Sequence, residues 1–455
     1  MEIKKNLDLK LQIVDMTTEG SGIGKIDGMA VFVPGTAPGD IVTAHIIKVK
    51  KNYAIGKVLK INKPSNDRIE NDCDCFPACG GCAYRHISYE AEKKIKQKRV
   101  TDAFQRIGKI DIVPNPILTG NTERYRNKAQ FPVRMQSGKL ETGFFAEKTH
   151  RIIPCSDCIL QPAEVSDILN FIKKWLLQNP VSIYNEETGT GLVRHIYIRK
   201  AFNTGEIMVC IVINGEKMPR SDSLVNSLTG EFPQIETIVL NVNTENTNVI
   251  LGKKCVNIYG DGYITDILCG KKFRISPLSF YQVNHDTAEI LYEKAAEYAG
   301  LTGNETVIDL YCGAGTIGLT MIDKIKKLYG VEIVPEAIED AKINAQINNA
   351  DNAEFICSDA AAATIILENR GVKPDVLIVD PPRKGCDKEL IETISRMNPE
   401  KVVYVSCDVA TLARDAAIFN DYGYTVNEIT PVDMFPRTVH TETVVLMTKN
   451  KIIAE

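Results

Sequence analysis

The stretch "VVYVSCDVATLARD" ends an apolar run on Cys407, with Asp408 and a helix-forming segment directly behind it. A second apolar run, "VLIVDPPRKG", ends in the same way on Asp380. A thiol beside a carboxylate suits covalent catalysis, in which a thiolate adds to an electrophilic carbon and divides one difficult step into easier ones. The plain alternative for Cys407 is a small buried hydrophobe, the common fate of a free cysteine. Cys386, on the lysine–glycine loop after Asp380, is a rival nucleophile. A third stretch, "VIDLYCGAGTIGL", reads as strand, glycine turn and helix, the local form of a nucleotide-cofactor loop. The fourth, "CDCFPACGGC", gathers Cys73, Cys75, Cys79 and Cys82 at spacings that suit a metal.

These groups need a frame. From about residue 266 strand-like and helical runs alternate, from "ETVIDLY" through "KVVYVSCD" to "LARDAAIF". Unbroken apolar strands separated by helices imply a parallel sheet covered on both faces. In such a sheet ligands sit at the carboxyl ends of the strands. The fourth strand ends at Asp380 and the fifth at Cys407, so their adjacent ends bring both residues to one cleft. Two closing runs, "YTVNEITPVDMF" and "TETVVLMTK", lack a helix between them and read as an antiparallel hairpin.

Gly313 and Gly315 allow the backbone to approach a ligand, and Glu332 at the end of "YGVEIV" stands where a ribose reader is expected. The loop lacks the G-x-G-x-x-G spacing of dinucleotide enzymes. With the aspartate before the loop, Glu332, and Asp359 after "EFICS", it resembles an S-adenosylmethionine methyltransferase more than a nicotinamide enzyme. A cysteine beside a methyl donor points to carbon 5 of a pyrimidine, which is not nucleophilic by itself. Thiolate addition at carbon 6 makes an enolate at carbon 5, and that enolate can take a methyl group.

The front of the chain is different. Residues 1–61 alternate apolar and polar positions in "LKLQIVDM", "MAVFVPG", "DIVTAHIIKV" and "YAIGKVLKI", with "TEGSGIGKIDG" read as a loop. Short strands at this spacing suggest a small β-barrel of the OB-like kind. "KVKKNYAIGKV" adds lysines and a tyrosine, which suits nucleic-acid binding over a purely structural cap. Residues 88–108 form a basic helix with Ser88 as N-cap and Gly108 as the stop. Residues 120–265 mix strands and helices into a central α+β region without a catalytic signature. The division expected is therefore 1–61, 62–265 and 266–455.

The chain has 455 residues, 13 cysteines and a net charge of −4. Residues 1–151 carry +9 and the rest −13. A basic front half suggests a polyanionic partner, although charge runs such as "EAEKKIKQKR" also occur as solvated helix faces. No apolar run reaches the roughly 18–20 residues that cross a bilayer, and the N-terminus lacks a signal-peptide core. A cytoplasmic setting without membrane contact is expected, where many cysteines mean metal, catalysis or packing rather than disulfides.

"DPPRKG", "VSCDVATLARD", "FPRTVHTETVVLMTK", "SFYQVN" and "DLYCGAGT" together resemble the RNA uracil-5-methyltransferases. The resemblance runs over essentially the whole chain, because residues 8–61 look like the TRAM domain of the ribosomal RNA branch. It implies a Rossmann-like class I methyltransferase sheet behind an N-terminal barrel, acting as a monomer on 23S ribosomal RNA. By the same resemblance Cys407 is the nucleophile and Glu442 the base that takes the carbon-5 proton; His440 nearby reads either as an assistant or as a packing residue. Gln282, Tyr311, Gly313, Glu332, Asp359 and Asp380 are the cofactor-side residues, some of them also facing uracil. Pro382-Arg383, where cytosine-5 enzymes carry Pro-Cys, argues for uracil.

The resemblance also implies a [4Fe-4S] cluster on Cys73, Cys79, Cys82 and Cys158, the last taken from "PCSDCILQ". Four thiolates suit zinc as well. Cys75, Cys79 and Cys82 also match the spacing of radical S-adenosylmethionine enzymes. Cys75 and Cys155 depart from the family pattern and compete for the ligand places. The same chemistry on transfer RNA, and a non-catalytic RNA-binding protein, are the alternatives to the ribosomal reading.

Overall fold

The structure, a computed structural model, describes residues 3–450. The chain forms two compact units. The first runs to Arg99 and includes Phe145–Arg151 and Phe435–His440; the second holds Val100–Phe144, Ile152–Met434 and the chain from Thr441 on.

In the first unit five strands close into a barrel in the order β1-β2-β3-β5-β4. They are β1 (Asp8–Met16), β2 (Ser21–Ile26), β3 (Met29–Pro34), β4 (Ile41–Val49) and β5 (Tyr53–Lys63). Leu9, Leu11 and Ile13 point inward while Lys10 and Gln12 point out, the period-two alternation of a half-buried strand. The stretch "TEGSGIGKIDG", expected as a loop, contains β2. Gly22 and Gly24 take inward positions where a Cβ would run into Thr36 and Leu11. Glycine fits this close approach and hides the apolar alternation that marks the other strands.

After the barrel comes helix α1 (Tyr89–Ala103). The Ser88 hydroxyl accepts the Ala91 N–H at 3.2 Å, as expected of an N-cap. Its charge run is not wholly a solvated face: Lys96 and Glu92 are both buried and pair at 2.7 Å. The helix continues as a π turn over Phe104–Gly108, and the left-handed residue that ends it is Lys109.

The second unit holds two seven-stranded sheets. The first has the order β12-β11-β10-β9-β6-β7-β8, from β6 (Lys128–Gln136), β7 (Lys139–Phe145), β8 (Ile152–Pro154), β9 (Val193–Lys200), β10 (Ile207–Ile213), β11 (Ile235–Val242) and β12 (Lys254–Tyr259). Helices α2 (Ala163–Gln178) and α3 (Ser221–Glu231) share its core through Ile168, Trp175 and Leu228. A separate hairpin, β13 (Ile264–Leu268) and β14 (Lys271–Ile275), leads to α4 (His285–Ala299).

The second sheet has the order β17-β16-β15-β18-β19-β21-β20. Strands β15 (Thr306–Leu310), β16 (Lys327–Glu332), β17 (Ala353–Cys357), β18 (Val376–Val379) and β19 (Lys401–Ser406) are parallel. Helices α5 (Thr316–Thr320), α6 (Pro335–Ile347), α7 (Ala360–Asn369), α8 (Lys388–Met397) and α9 (Val409–Asp421) alternate with them or follow them. The closing hairpin is β20 (Tyr424–Val432) and β21 (Glu442–Lys449). Its last strand enters between β19 and β20, antiparallel to both. The run "ETVVL" is buried almost throughout, which suits an internal strand and not an edge. Leu310, Val379, Tyr404 and Val445 share a core with Leu412, Ala416 and Phe419 of α9, and Val100, Ala103 and Phe104 join it.

Candidate active site

The register of the second sheet decides which side chains meet. Ser406 on β19 pairs with Thr443 on β21. Continuing that antiparallel register one step sets Cys407 opposite Glu442. On the other side, β18 runs parallel to β19 with Val379 beside Tyr404, so Asp380 leaves its strand level with Val405, two residues before Cys407, and close enough for its charge to act on that thiol. Cys407 is half-buried, Glu442 is buried, and α9 begins two residues after the cysteine with Asp408 capping the Ala410 and Thr411 N–H groups at 3.0 Å.

The electrostatics tie these groups together. Burial pushes the Cys407 thiol up to about 11; Glu442 and Asp380 add to the rise, while the charge and hydrogen bond of Arg383 oppose it. Burial likewise lifts Glu442 to about 8, with Asp380 adding to the rise and Arg383 again opposing. Asp380 is lifted to about 7 by burial. Carboxyl groups poised near neutrality can take or give a proton at working pH. Arg383 is the cation that favours both charged forms, a role that the sequence did not assign to it.

The glycine loop follows β15. Tyr311 has a left-handed φ of 64°, uncommon for a bulky residue and found where surrounding structure enforces it. Its phenol is raised by burial and by the nearby Cys386 and Asp359. Glu332 accepts the N–H groups of Gly313 at 3.2 Å, Ile333 at 2.8 Å and Val334 at 2.9 Å. Its carboxylate therefore joins the end of β16 to the loop after β15. Asp309 is buried and lifted to about 7, chiefly by burial. One of its oxygens accepts the Gly318 N–H at 2.9 Å, while Oδ1 has no partner among the described residues. Gln282 is buried and bonded to Tyr292, which in turn feels Asp380 and Asp309. Asp359 caps α7 through the Ala361 and Ala362 N–H groups. An acid inside the apolar run "VIDLY" was the sequence signal for Asp309.

Cys386 is buried, its thiol pushed up to about 12 by burial, with its N–H held by Asp415 at 2.8 Å. That leaves Cys407 as the better-placed thiol. The remaining cysteine expectations fall elsewhere. Cys73, Cys75, Cys79 and Cys82 share one loop of the first unit, and Cys158 belongs to the second. Cys79 is raised by burial and by the neighbouring Cys75 and Cys73. The thiols thus have the donor chemistry of a cluster, but among the described residues no three Cys, His, Asp or Glu groups are arranged as a metal site. His440 lies in the first unit and Glu442 in the second.

On the barrel, Phe32 and Tyr53 stack at 5.1 Å between ring centroids. Both rings are half-buried, and Lys48, Lys50, Lys51 and Lys57 nearby in sequence are exposed. Aromatic faces on which bases can stack, set among cations, are the usual means of holding single-stranded nucleic acid.

Residues 246–450 match the family described as tRNA (Uracil-5-)-methyltransferase, and residues 10–59 match the TRAM domain. A protein of Clostridium tetani called an uncharacterized RNA methyltransferase is 46% identical over 447 residues, covering 98% of this chain and 97% of its own. One of the same description from Halalkalibacterium halodurans is 46% identical over 447 residues, covering 98% of each. Among solved structures, the tRNA (uracil-54, C5)-methyltransferase of Pyrococcus abyssi in complex with S-adenosyl-L-homocysteine superposes with a TM-score of 0.79 at 25% identity, over 96% of this chain and 99% of that one. Identity of this order along nearly the full length of both sequences, with the two matched regions in their expected places, means that the chain belongs to the RNA uracil-5-methyltransferase family.

Proposed function

We propose that this protein methylates carbon 5 of a uridine in 23S ribosomal RNA, taking the methyl group from S-adenosylmethionine and passing through a covalent bond between Cys407 and uracil carbon 6. The observation that carries the reading is the register that sets Cys407 opposite Glu442, with Arg383 bonded to the sulfur. S-adenosylmethionine supplies an electrophilic methyl group when bound. Gln282, Tyr311, Gly313, Glu332, Asp359 and Asp380 are the residues assigned to hold it. The exposed Ile333 and Val334 directly after Glu332 offer an apolar surface to a flat base beside a ribose reader, which fits a nucleoside.

The chain's own residues do the rest. Arg383 offsets the cost of ionising Cys407, whose proton passes to solvent at the half-buried sulfur, and the thiolate adds to carbon 6. The resulting enolate is methylated at carbon 5. Glu442 as carboxylate takes the proton from carbon 5, and the carbon–sulfur bond breaks to release product. This reading takes the protein as a cytoplasmic monomer with an RNA-binding barrel in 1–61, a central domain in 62–265 and a methyltransferase domain in 266–455. Among the described residues no helix is long and apolar enough to cross a membrane.

The test is a map of 5-methyluridine in 23S ribosomal RNA and transfer RNA from cells lacking the protein. Loss from ribosomal RNA alone is expected. A second reading, transfer RNA as substrate, is favoured by the Pyrococcus abyssi likeness, and loss from transfer RNA alone would establish it instead. If labelled donor transfers nothing to bulk RNA, a binding protein replaces both.

Two further predictions arise here. Replacing Lys48, Lys50 and Lys51 by Glu should weaken RNA binding steeply and lower the slope of log affinity against log salt by about two to three, since each lost phosphate contact releases roughly one fewer counterion. Donor binding should not change. Equal loss of both would make the barrel a structural cap. The proposal also keeps the iron–sulfur cluster on Cys73, Cys79, Cys82 and Cys158, on donor chemistry and family likeness. Protein purified without oxygen should be brown, with about four irons per chain, and Cys79→Ser or Cys82→Ser should lose them. Zinc in that preparation would replace the cluster.

A further inference from the structure

The loop after β18 reaches Arg383 through Pro381 and Pro382, and α9 holds it from behind. The Thr411 hydroxyl lies 3.2 Å from the Arg383 carbonyl and 3.1 Å from the Asp408 carbonyl, and shares its one proton between the loop and its own helix turn. Arg414 Nη2 donates to the Lys384 carbonyl at 2.9 Å. Asp415 Oδ2 accepts the Cys386 N–H at 2.8 Å. Residues 411, 414 and 415 lie at i, i+3 and i+4, one face of a helix. That face therefore fixes three of four consecutive loop residues by their backbone, beginning with the one whose side chain touches the nucleophile.

Asp415 is fully buried. It is compensated by the Tyr404 hydroxyl at 2.7 Å, the Cys386 N–H and Arg414 at 2.7 Å. A buried carboxylate costs stability unless it is bonded in this way. It sits on the apolar stripe with Leu412, Ala416 and Phe419, where a leucine would pack with no such need. Gly385 between the gripped residues has a φ of 77°, and a Cβ there would collide with both Asp415 and Arg414. The loop and the helix face are fitted to one another.

We propose that this face of α9, through Thr411, Arg414 and Asp415, is a positioning device that keeps the Arg383 guanidinium on the Cys407 sulfur. The inference rests on the reading of Cys407 as nucleophile. The charged groups facing that sulfur are Glu442 from β21, Asp380 from the end of β18, and Arg383. Among these groups the acids oppose ionisation, so the placement of Arg383 sets how readily the thiolate forms.

The test is the rate of iodoacetamide alkylation of Cys407 against pH, read on its peptide by mass spectrometry in the full-length protein. Thr411→Val and Asp415→Asn should each move the profile to higher pH, slowing alkylation at about pH 8 by threefold or more, since half a pKa unit is about threefold in thiolate. Arg383→Gln should move it at least as far, and adding either clamp variant to Arg383→Gln should move it no further. Thr411→Ser should restore the original profile. A profile unchanged in the clamp variants, or effects that simply add to that of Arg383→Gln, overturns the proposal. Should Asp415→Asn fail to fold, Thr411→Val at a half-buried position still decides. Alkylation reads the sulfur whatever its catalytic role. If Cys407→Ala still methylates RNA, the nucleophile reading fails by a different measurement.

Discussion

Cys407→Ala should lose methyl transfer to RNA by on the order of 10⁴-fold or more, the scale seen when a covalent nucleophile is removed, while binding S-adenosylmethionine as before. Without the sulfur no carbon 6 adduct forms, and carbon 5 has no electron pair to offer the donor. Cofactor binding should survive because Glu332 and the glycine loop stand at the ends of β16 and β15, and β18 lies between β15 and the strand that carries the cysteine. The fold should survive as well, since Cys407 is half-buried at the end of its strand and makes no backbone contact that alanine would not make. Transfer of labelled methyl to RNA, together with calorimetric titration of the cofactor, separates the two effects. Activity within tenfold of the original would remove Cys407 from the chemistry and make Cys386 the residue to test. Cys386→Ala should instead be active, because that thiol is buried in packing between the loop and Asp415.

The parallel sheet and the ends of its strands were legible because buried strands must be apolar on both faces. Runs such as "DVLIVD" and "KVVYVSCD" therefore show both where a strand lies and where it stops. The residue that stops the run then stands at the strand end, which is why Asp380 and Cys407 could be placed as candidates from the sequence. Three features were less legible, each for a physical reason. Strand β2 hid because its inward positions are Gly22 and Gly24, which carry no apolar side chain. The entry of β21 between β19 and β20 is a long-range pairing, and a hairpin read locally does not say which of its strands faces the sheet. Arg383 and Asp415 were missed because their roles depend on contacts across the loop and α9. An acid on the apolar stripe of "TLARDAAIF" was the available signal for Asp415. Ligand choice among the cysteines is the opposite case: spacing suits several metals, and the sequence alone cannot weigh Cys75 against Cys73.

Glu442→Gln should separate stability from turnover. The carboxyl is about 8 in the folded chain against an ordinary 4.5, so folding binds a proton between those values. Stability is therefore lost as pH rises from about 4.5 through about 8. Glutamine has no charge to bury, so the variant should be more stable than the original above about pH 8, by on the order of a few kcal/mol. That gain should fade toward pH 4.5, where the acid is neutral in both states. Thermal melts at both ends of the range give the comparison. Turnover should fail at one step only. The thiolate still adds and carbon 5 is still methylated, but glutamine cannot take the carbon 5 proton, so the carbon–sulfur bond cannot break. Radiolabelled RNA should then migrate with the protein on a denaturing gel as a slow band, and that band should vanish in the Cys407→Ala, Glu442→Gln double variant. Normal turnover by Glu442→Gln would show that another base or a water takes the proton. A slow band that outlasts the loss of Cys407 would show that the sulfur joined to RNA is not this one.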